Sequence, residues 1–290
     1  PSIVHLRQYI TATLAVVSAL LLGPGFVLAH DGLREQIAAI TAQIAHDPQN
    51  VDLLARRAEL YRATRQWKAA LADLDRVHAI DPRMAAADLT RARVLLATGQ
   101  VSASVDVASR LLARHPRHVD ALLVRARANG KLHRPRAAIA DFTSALETHP
   151  SPDVFIERAR LNATVKPAGR VEALSGLDDA IARLGPLVTL ELEAIDIEIT
   201  LERFDAALAR LDRVSRQAAR QESWLVRRGA ILERAGRFDE ALASYRAAMR
   251  AATIEPRVRQ SRASAALLVQ LQADILRLEK TLPSPTAPRD

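Results

Sequence analysis

Apolar residues recur along most of this chain at the three- and four-residue spacing of amphipathic helices. Leu208, Leu211 and Val214 form one such stripe. The segment Ser223–Ala252 reads as two helices joined by a tight turn at Gly236, where a helix end needs a positive φ. The pattern therefore predicts an all-α chain built from pairs of helices.

Prolines divide this helical pattern at a nearly fixed interval. The prolines that close successive units are Pro48, Pro82, Pro116, Pro150, Pro186 and Pro256. The first three gaps are each 34 residues, the fourth is 36, and the last is 70, which is two units with Arg220 or Gln221 where a proline is missing. A fixed period of this size indicates stacked supersecondary units.

Small residues occupy matching places within these units, where they let helix axes approach closely. They are Ala58, Ala92, Ala126, Ala159 and Gly229 in the first helices, and Ala70, Ser104, Ala138, Ala173, Ala207 and Ala241 in the second. Together with the period and the closing proline, they resemble the tetratricopeptide repeat over six units, from about Asn50 to Ala252. The resemblance implies a right-handed superhelical solenoid of about six helix-turn-helix repeats. The fourth unit departs by an insertion around Thr164–Arg170, and the fifth by Ile195 at the small position of an acidic first helix.

The flanking segments complete a five-part organisation. We expect a signal peptide at 1–29, an N-terminal capping helix at 30–48, the repeat array at 49–256, a C-terminal capping helix at 257–281 and a disordered tail at 282–290. Caps are expected because a terminal repeat otherwise exposes an apolar face. The alternative is a terminal helix offered to a partner.

The predicted signal peptide rests on the apolar run Ile10–Leu22, which follows Arg7 and precedes a Gly-Pro-Gly breaker and small residues ending at Ala29. This is the layout of a secretory signal. The run has 13 residues, short of the roughly 20 that span a bilayer as a helix. We expect cleavage after Ala29 and a periplasmic or secreted location, and the alternative is a membrane anchor formed by Ile10–Leu22.

The composition and the remaining motifs exclude several kinds of site and give little positive evidence for a function. The net charge of +8 permits anionic partners without requiring them. The absence of cysteine excludes disulfides, thiolate nucleophiles and thiolate metal sites. His115 and His118 are three residues apart across a proline, whereas metal-binding histidines on one helix face are four apart. No phosphate loop or catalytic motif is present, so we expect neither an enzyme nor a cofactor or metal.

Two columns of arginine flank the small position of the first helices. Arg57, Arg91, Arg125, Arg158 and Arg228 precede it, and Arg93, Arg127 and Arg160 follow it. The resemblance implies that first helices line a concave face into which the second column points, with Leu89, Leu123 and Ile156 one turn earlier. Such a groove suits a peptide carrying carboxylates, because arginine binds these bidentately. The alternative is that these arginines are solvated and pair with nearby acids.

These observations lead to one functional interpretation with two alternatives. We interpret the chain as a non-catalytic scaffold of the bacterial envelope that binds a protein or peptide partner with acidic groups, in the setting of a membrane-associated complex. One alternative is an accessory subunit of an envelope enzyme or transport complex. The other is a nucleic-acid-binding repeat, which the shortage of unpacked aromatic residues disfavours, since single strands are bound through stacking platforms. The oligomeric state stays open.

Overall fold

A computed structural model describes residues 24–165, 168–216, 218, 220–254 and 262–281. Fourteen helices, and no strands, are present among these described residues. In chain order they are α1 Pro24–His46, α2 Val51–Ala63, α3 Trp67–Ile80, α4 Ala85–Ala97, α5 Val101–Arg114, α6 Val119–Lys131, α7 Pro135–Thr148, α8 Pro152–Thr164, α9 Gly169–Leu184, α10 Val188–Thr200, α11 Phe204–Ser215, α12 Glu222–Arg234, α13 Phe238–Ile254 and α14 Arg262–Thr281.

Helices α2 to α13 form six consecutive helix-turn-helix pairs, which confirms the predicted all-α array. The dividing prolines lie in the short connections between pairs, as predicted, because proline lacks the amide hydrogen that a helix interior needs. Pro82 follows α3, for example, and Pro116 follows α5. Pro256 lies outside the described residues.

The turn inside five of the six pairs shares one backbone feature, a residue in the left-handed region. These residues are Arg65, Gly99, His133, Glu202 and Gly236, with φ of 58°, 80°, 56°, 57° and 74°. The amide of the residue after each turn bonds back over the helix end, as Gln100 does to the Leu95 carbonyl at 2.9 Å. This is the Schellman arrangement, in which glycine is favoured because it lacks a Cβ. Two of the five positions have glycine.

The chain divides into two compact units, residues 1–145 and 146–290. In the first unit, α1 buries Ile40 and Ile44 in one core cluster with Leu54 of α2, as a capping helix does. The predicted small position is fully buried at Ser104, whose hydroxyl donates to the Ala92 carbonyl at 2.8 Å. This bond satisfies a polar group that burial would otherwise penalise.

The second unit has a continuous core from α10 to α14. A Cβ at Gly229 would lie 2.6 Å from the Tyr245 ring, so the small residue of this first helix is required by packing. Ile195, at the departing fifth position, is fully buried in the same core. Helix α14 contributes Leu271 and Leu278, each 1% exposed, and thereby covers the apolar end of the last repeat.

Several sequence predictions fall on parts of the chain outside this description. They are most of the predicted signal peptide (residues 1–23), the tail at 282–290, and residues 166 and 167 of the insertion in the fourth repeat. Among the described helices, none combines the length and the apolar character needed to cross a membrane.

Candidate functional site

The six residues predicted to bind a partner all lie on first helices of repeats. We call them the first-helix row: Leu89 and Arg93 on α4, Leu123 and Arg127 on α6, and Ile156 and Arg160 on α8. In each helix the apolar residue stands four places before the arginine. That spacing puts both side chains on one helix face.

In the first unit, α4 and α6 are joined through the row. Arg93 Nη2 lies 3.2 Å from Asp120 Oδ1, near the start of α6. Leu89 is buried at 8% exposure, and Leu123 is half-buried against the same core cluster. Arg127 is exposed on α6. In this unit the row therefore consists of two arginines that contact solvent and two leucines that pack mainly in the core.

Glu59 on α2 adds an acidic group to this face. It accepts hydrogen bonds from Arg62 and from the Thr90 hydroxyl, the latter at 3.0 Å. Burial raises the pKa of Glu59, but the bonds from Arg62 and Thr90 and the charges of Arg62 and Arg93 outweigh it. The pKa is thus below its usual value, and the carboxylate is ionised at neutral pH beside the row.

In the second unit, Arg160 makes a bidentate pair with Glu193 of α10, with Nε–Oε1 and Nη2–Oε2 distances of 2.9 and 2.7 Å. The hydrogen bonds to Glu193 raise the pKa of Arg160. The Arg160 side chain is 67% exposed, whereas that of Glu193 is 14% exposed. Ile156 is half-buried. The pair therefore lies at the surface, with the arginine on the solvent side.

Two arginines of the other column, Arg57 and Arg125, join the two helices of their own repeats. Arg57 holds Asp73 through two bonds of 2.7 Å, and Arg125 holds Asp141 through bonds of 2.9 and 2.7 Å. Each of these bonds joins the first helix of a repeat to its own second helix. These two arginines are therefore structural, and their guanidinium groups bind carboxylates of their own repeats.

The chemistry available to the first-helix row is exchange of ion-pair partners. An exposed arginine–carboxylate pair contributes about 0–1 kcal/mol, because solvent screens it and two side chains must be held in place. A partner's carboxylate can therefore replace Asp120 on Arg93 at little cost, since the Arg93 and Asp120 side chains are 31% and 54% exposed. The pair of Arg160 with Glu193 should stay intact, because Glu193 is only 14% exposed. Among the described residues, no group of three metal-ligating side chains lies close enough to hold an ion.

Two family profiles described as "Tetratricopeptide repeat" match residues 62–129 and 192–253. The chain belongs to the tetratricopeptide repeat family. The matched segments lie one in each unit, and the helix pairs outside them continue the same repeat. No curated protein sequence matches this tetratricopeptide repeat protein.

Solved structures share the fold at low sequence identity. A tetratricopeptide repeat protein from Parabacteroides merdae is 17% identical, with 88% of this chain and 98% of that chain covered and a TM-score of 0.53. YrrB, described as having an unusual peptide-binding site, is 17% identical over 72% and 98% of the two chains, with a TM-score of 0.51. PilW, described as a type IV pilus biogenesis factor, is 20% identical over 66% and 88%, with a TM-score of 0.56.

Sequence reasoning missed the most buried ionic group of this tetratricopeptide repeat protein. Arg210 of α11 bonds Glu198 and Glu191 of α10 and Asp178 of α9, at distances from 2.8 to 3.2 Å. Burial is the largest single effect on the pKa of Arg210 and lowers it. The hydrogen bonds to the three carboxylates together outweigh burial, so the pKa is raised. The visible signal was the acidic first helix of the fifth repeat, which is α10.

Proposed function

We propose that the protein is a non-catalytic scaffold that binds an acidic protein or peptide partner through its first-helix row. Arg160 carries the proposal, because its side chain is 67% exposed while its guanidinium is held in a bidentate geometry. Glu193 takes the Nε hydrogen and one Nη2 hydrogen, and the remaining donors of the planar guanidinium are those that a second carboxylate can bind. Arg127, also exposed, adds a second charged anchor on the first unit.

The half-buried apolar residues of the row set the second requirement for the partner. Leu123 and Ile156 each leave part of their side chain uncovered one helical turn before the arginine. On either unit, a segment that carries an acidic residue one helical turn from an apolar residue satisfies both features, as in helix-in-groove recognition. YrrB, a structure of the same fold, is described as having a peptide-binding site.

We place this activity in the bacterial envelope. The support is the signal-like segment that contains Ile10–Leu22, together with the fold shared with PilW, described as a pilus biogenesis factor. Fractionation of cells tests the location. A cleaved form is released with the soluble periplasmic fraction, whereas a form anchored by Ile10–Leu22 stays with membranes after a high-salt wash.

Charge reversal of the row tests the binding function. Arg93, Arg127 and Arg160 are changed together to glutamate, and tagged protein is crosslinked in living cells and purified. We expect the partner recovered with the natural chain to be lost. Helicity should stay unchanged, because the pairs removed are exposed and contribute about 1 kcal/mol or less each.

The matched control reverses three exposed arginines on second helices, Arg110, Arg136 and Arg250. It changes the net charge by the same amount and leaves the row intact. The partner should remain bound to this control variant. Equal loss in both variants would assign the effect to net charge, and retention in both would overturn the proposed role of the row.

A further inference from the structure

The second unit contains a half-enclosed pocket of ≈440 Å³ beside the start of α10 and the end of α11. Its apolar wall is formed by Pro186, Val188, Val214 and the indole of Trp224. Glu191 and Arg213 are its charged lining residues. None of these residues belongs to the first-helix row, so the pocket is a separate feature of the surface.

Two local departures from the repeat create this pocket. Trp224 stands five residues before the small Gly229, where the second and third repeats have Ala87 and Ala121, which are 7% and 0% exposed, and the first repeat has Leu53. An indole is too large for that buried place, and Trp224 remains half-buried along the pocket wall. Helix α11 has 12 residues, whereas the second helices α3 and α5 have 14. Near its end, Val214 and the following Ala218 line the pocket together with Trp224.

The polar groups without partners at this pocket are hydrogen-bond donors. Arg213 is exposed and makes no ion pair or hydrogen bond within the described part of the chain, and the Trp224 indole N–H has no acceptor there. Glu191 is 3% exposed, and its Oε2 accepts from Arg210 Nη1 at 2.9 Å. The inner carboxylate is therefore engaged by the protein, while the donors at the solvent side are available to a ligand.

We propose that this pocket binds an apolar carboxylic acid, supplied by the C-terminal residue of a partner peptide. The apolar side chain packs against Trp224, Val188 and Val214, and the terminal carboxylate accepts from Arg213. Guanidinium groups bind carboxylates with directed, charge-assisted bonds. A half-enclosed pocket takes the end of a chain more readily than a continuing segment. This binding is independent of the first-helix row and stands whether or not the row binds a partner.

A small acid and its amide test the proposal directly. Trp67→Phe leaves Trp224 as the only tryptophan of the full chain, and its fluorescence is followed during titration with N-acetylphenylalanine. We expect a saturable change, with about tenfold weaker binding of N-acetylphenylalaninamide, which lacks the charge. Arg213→Gln should weaken binding of the acid by about tenfold, the lower range for bonds to charged groups.

The control variant is Arg117→Gln, which removes an exposed arginine from a pocket of the first unit and should leave the titration unchanged. The peptide Gly-Gly-Phe should bind at least as well as the small acid. If Trp67→Phe does not fold, the indole N–H resonance of Trp224 in the natural chain reports the same titration, identified by its loss in Trp224→Phe.

Four results would overturn the proposal. They are no saturable change with the acid, equal affinity for acid and amide, unchanged affinity in Arg213→Gln, and binding of N-acetylphenylalanine without binding of Gly-Gly-Phe. The last would assign the pocket to a small free acid. Because the first-helix row is intact in every variant, each result can be separated from failure of the scaffold function.

Discussion

Replacing Arg210 with methionine is the most informative perturbation of the array. Methionine approximates the length of the side chain but removes the charge and every hydrogen bond. Arg210 is 7% exposed, and its guanidinium is the shared donor for three carboxylates on α9 and α10. The variant therefore leaves acidic groups buried without a cation, the situation that makes broken buried pairs costly.

The expected magnitude follows from the burial of each carboxylate. The Asp178 side chain is 50% exposed, so it can turn to water at little cost. Glu191 and Glu198 are each 3% exposed and cannot. Protonating one such glutamate at pH 7 instead costs about 3.7 kcal/mol, from a reference pKa of about 4.3 and 1.36 kcal/mol per pH unit. Local relaxation lowers the summed cost for the two glutamates, and we expect the free energy of unfolding to fall by about 3–5 kcal/mol.

The pH dependence of this loss has a definite sign. Without Arg210, a carboxylate that stays buried without a cation holds a proton more tightly in the folded chain than in the unfolded chain. The folded variant then binds more protons than its unfolded state, so its stability falls as pH rises. The difference from the natural chain should therefore be largest at neutral pH and shrink as pH approaches the unfolded pKa of about 4.3.

Hydrogen exchange of the α10 and α11 amides measures the effect locally, which matters because repeat arrays need not unfold in one step. The control is Arg213→Met on the same helix, an exposed arginine that should change stability by less than about 0.5 kcal/mol. A loss below about 1 kcal/mol for Arg210→Met, or no dependence on pH, would refute the reasoning.

Two further predictions concern the turns and the C-terminal cap. Glu202→Gly should raise the free energy of unfolding by roughly 0.5–1 kcal/mol, measured by chemical unfolding. Glu202 has a φ of 57°, and glycine adopts this left-handed conformation without strain. Glycine also gives the unfolded chain more conformational freedom, which offsets part of the gain. Hydrogen bonds from Arg277 hold the pKa of Glu233 below its usual value in spite of burial. The stability from this pair is present above about pH 4.3 and lost as pH falls further, which carboxyl NMR titration and exchange of α14 amides detect.

Each of these predictions has a matched control. Glu202→Ala removes the same carboxylate but keeps the strain, so equal stability of the alanine and glycine variants would contradict the strain argument. Arg277→Gln should return the pKa of Glu233 toward its usual value. If that pKa does not move, Arg277 is not its cause.

The repeat could be predicted from sequence because its signals are local and recur. A proline that ends a helix, a small residue at a close crossing and an apolar stripe each act within a few residues. Each of these signals is weak alone, but their recurrence every 34 residues, as from Pro48 to Pro82, made the prediction of a repeat strong. The same regularity identified the first helices and hence the residues of the row.

The partners of charged residues could not be predicted, because they lie in other helices at separations that depend on packing. Arg160 finds Glu193 33 residues away, and Arg210 finds Asp178 at 32. The pocket was missed for a different reason. It depends on where α11 ends, and helix ends follow from the balance of capping and packing. The sequence signal was Trp224, a large aromatic residue five places before the small Gly229.

Site-specific photocrosslinking tests whether the first helices bind the partner. A photoreactive amino acid replaces Arg127 on α6 in one strain and Arg110 on α5 in another, both exposed in the same unit. We expect a crosslinked protein from position 127 and none from position 110. Crosslinking from position 110 alone would contradict this expectation and place the partner on the second helices.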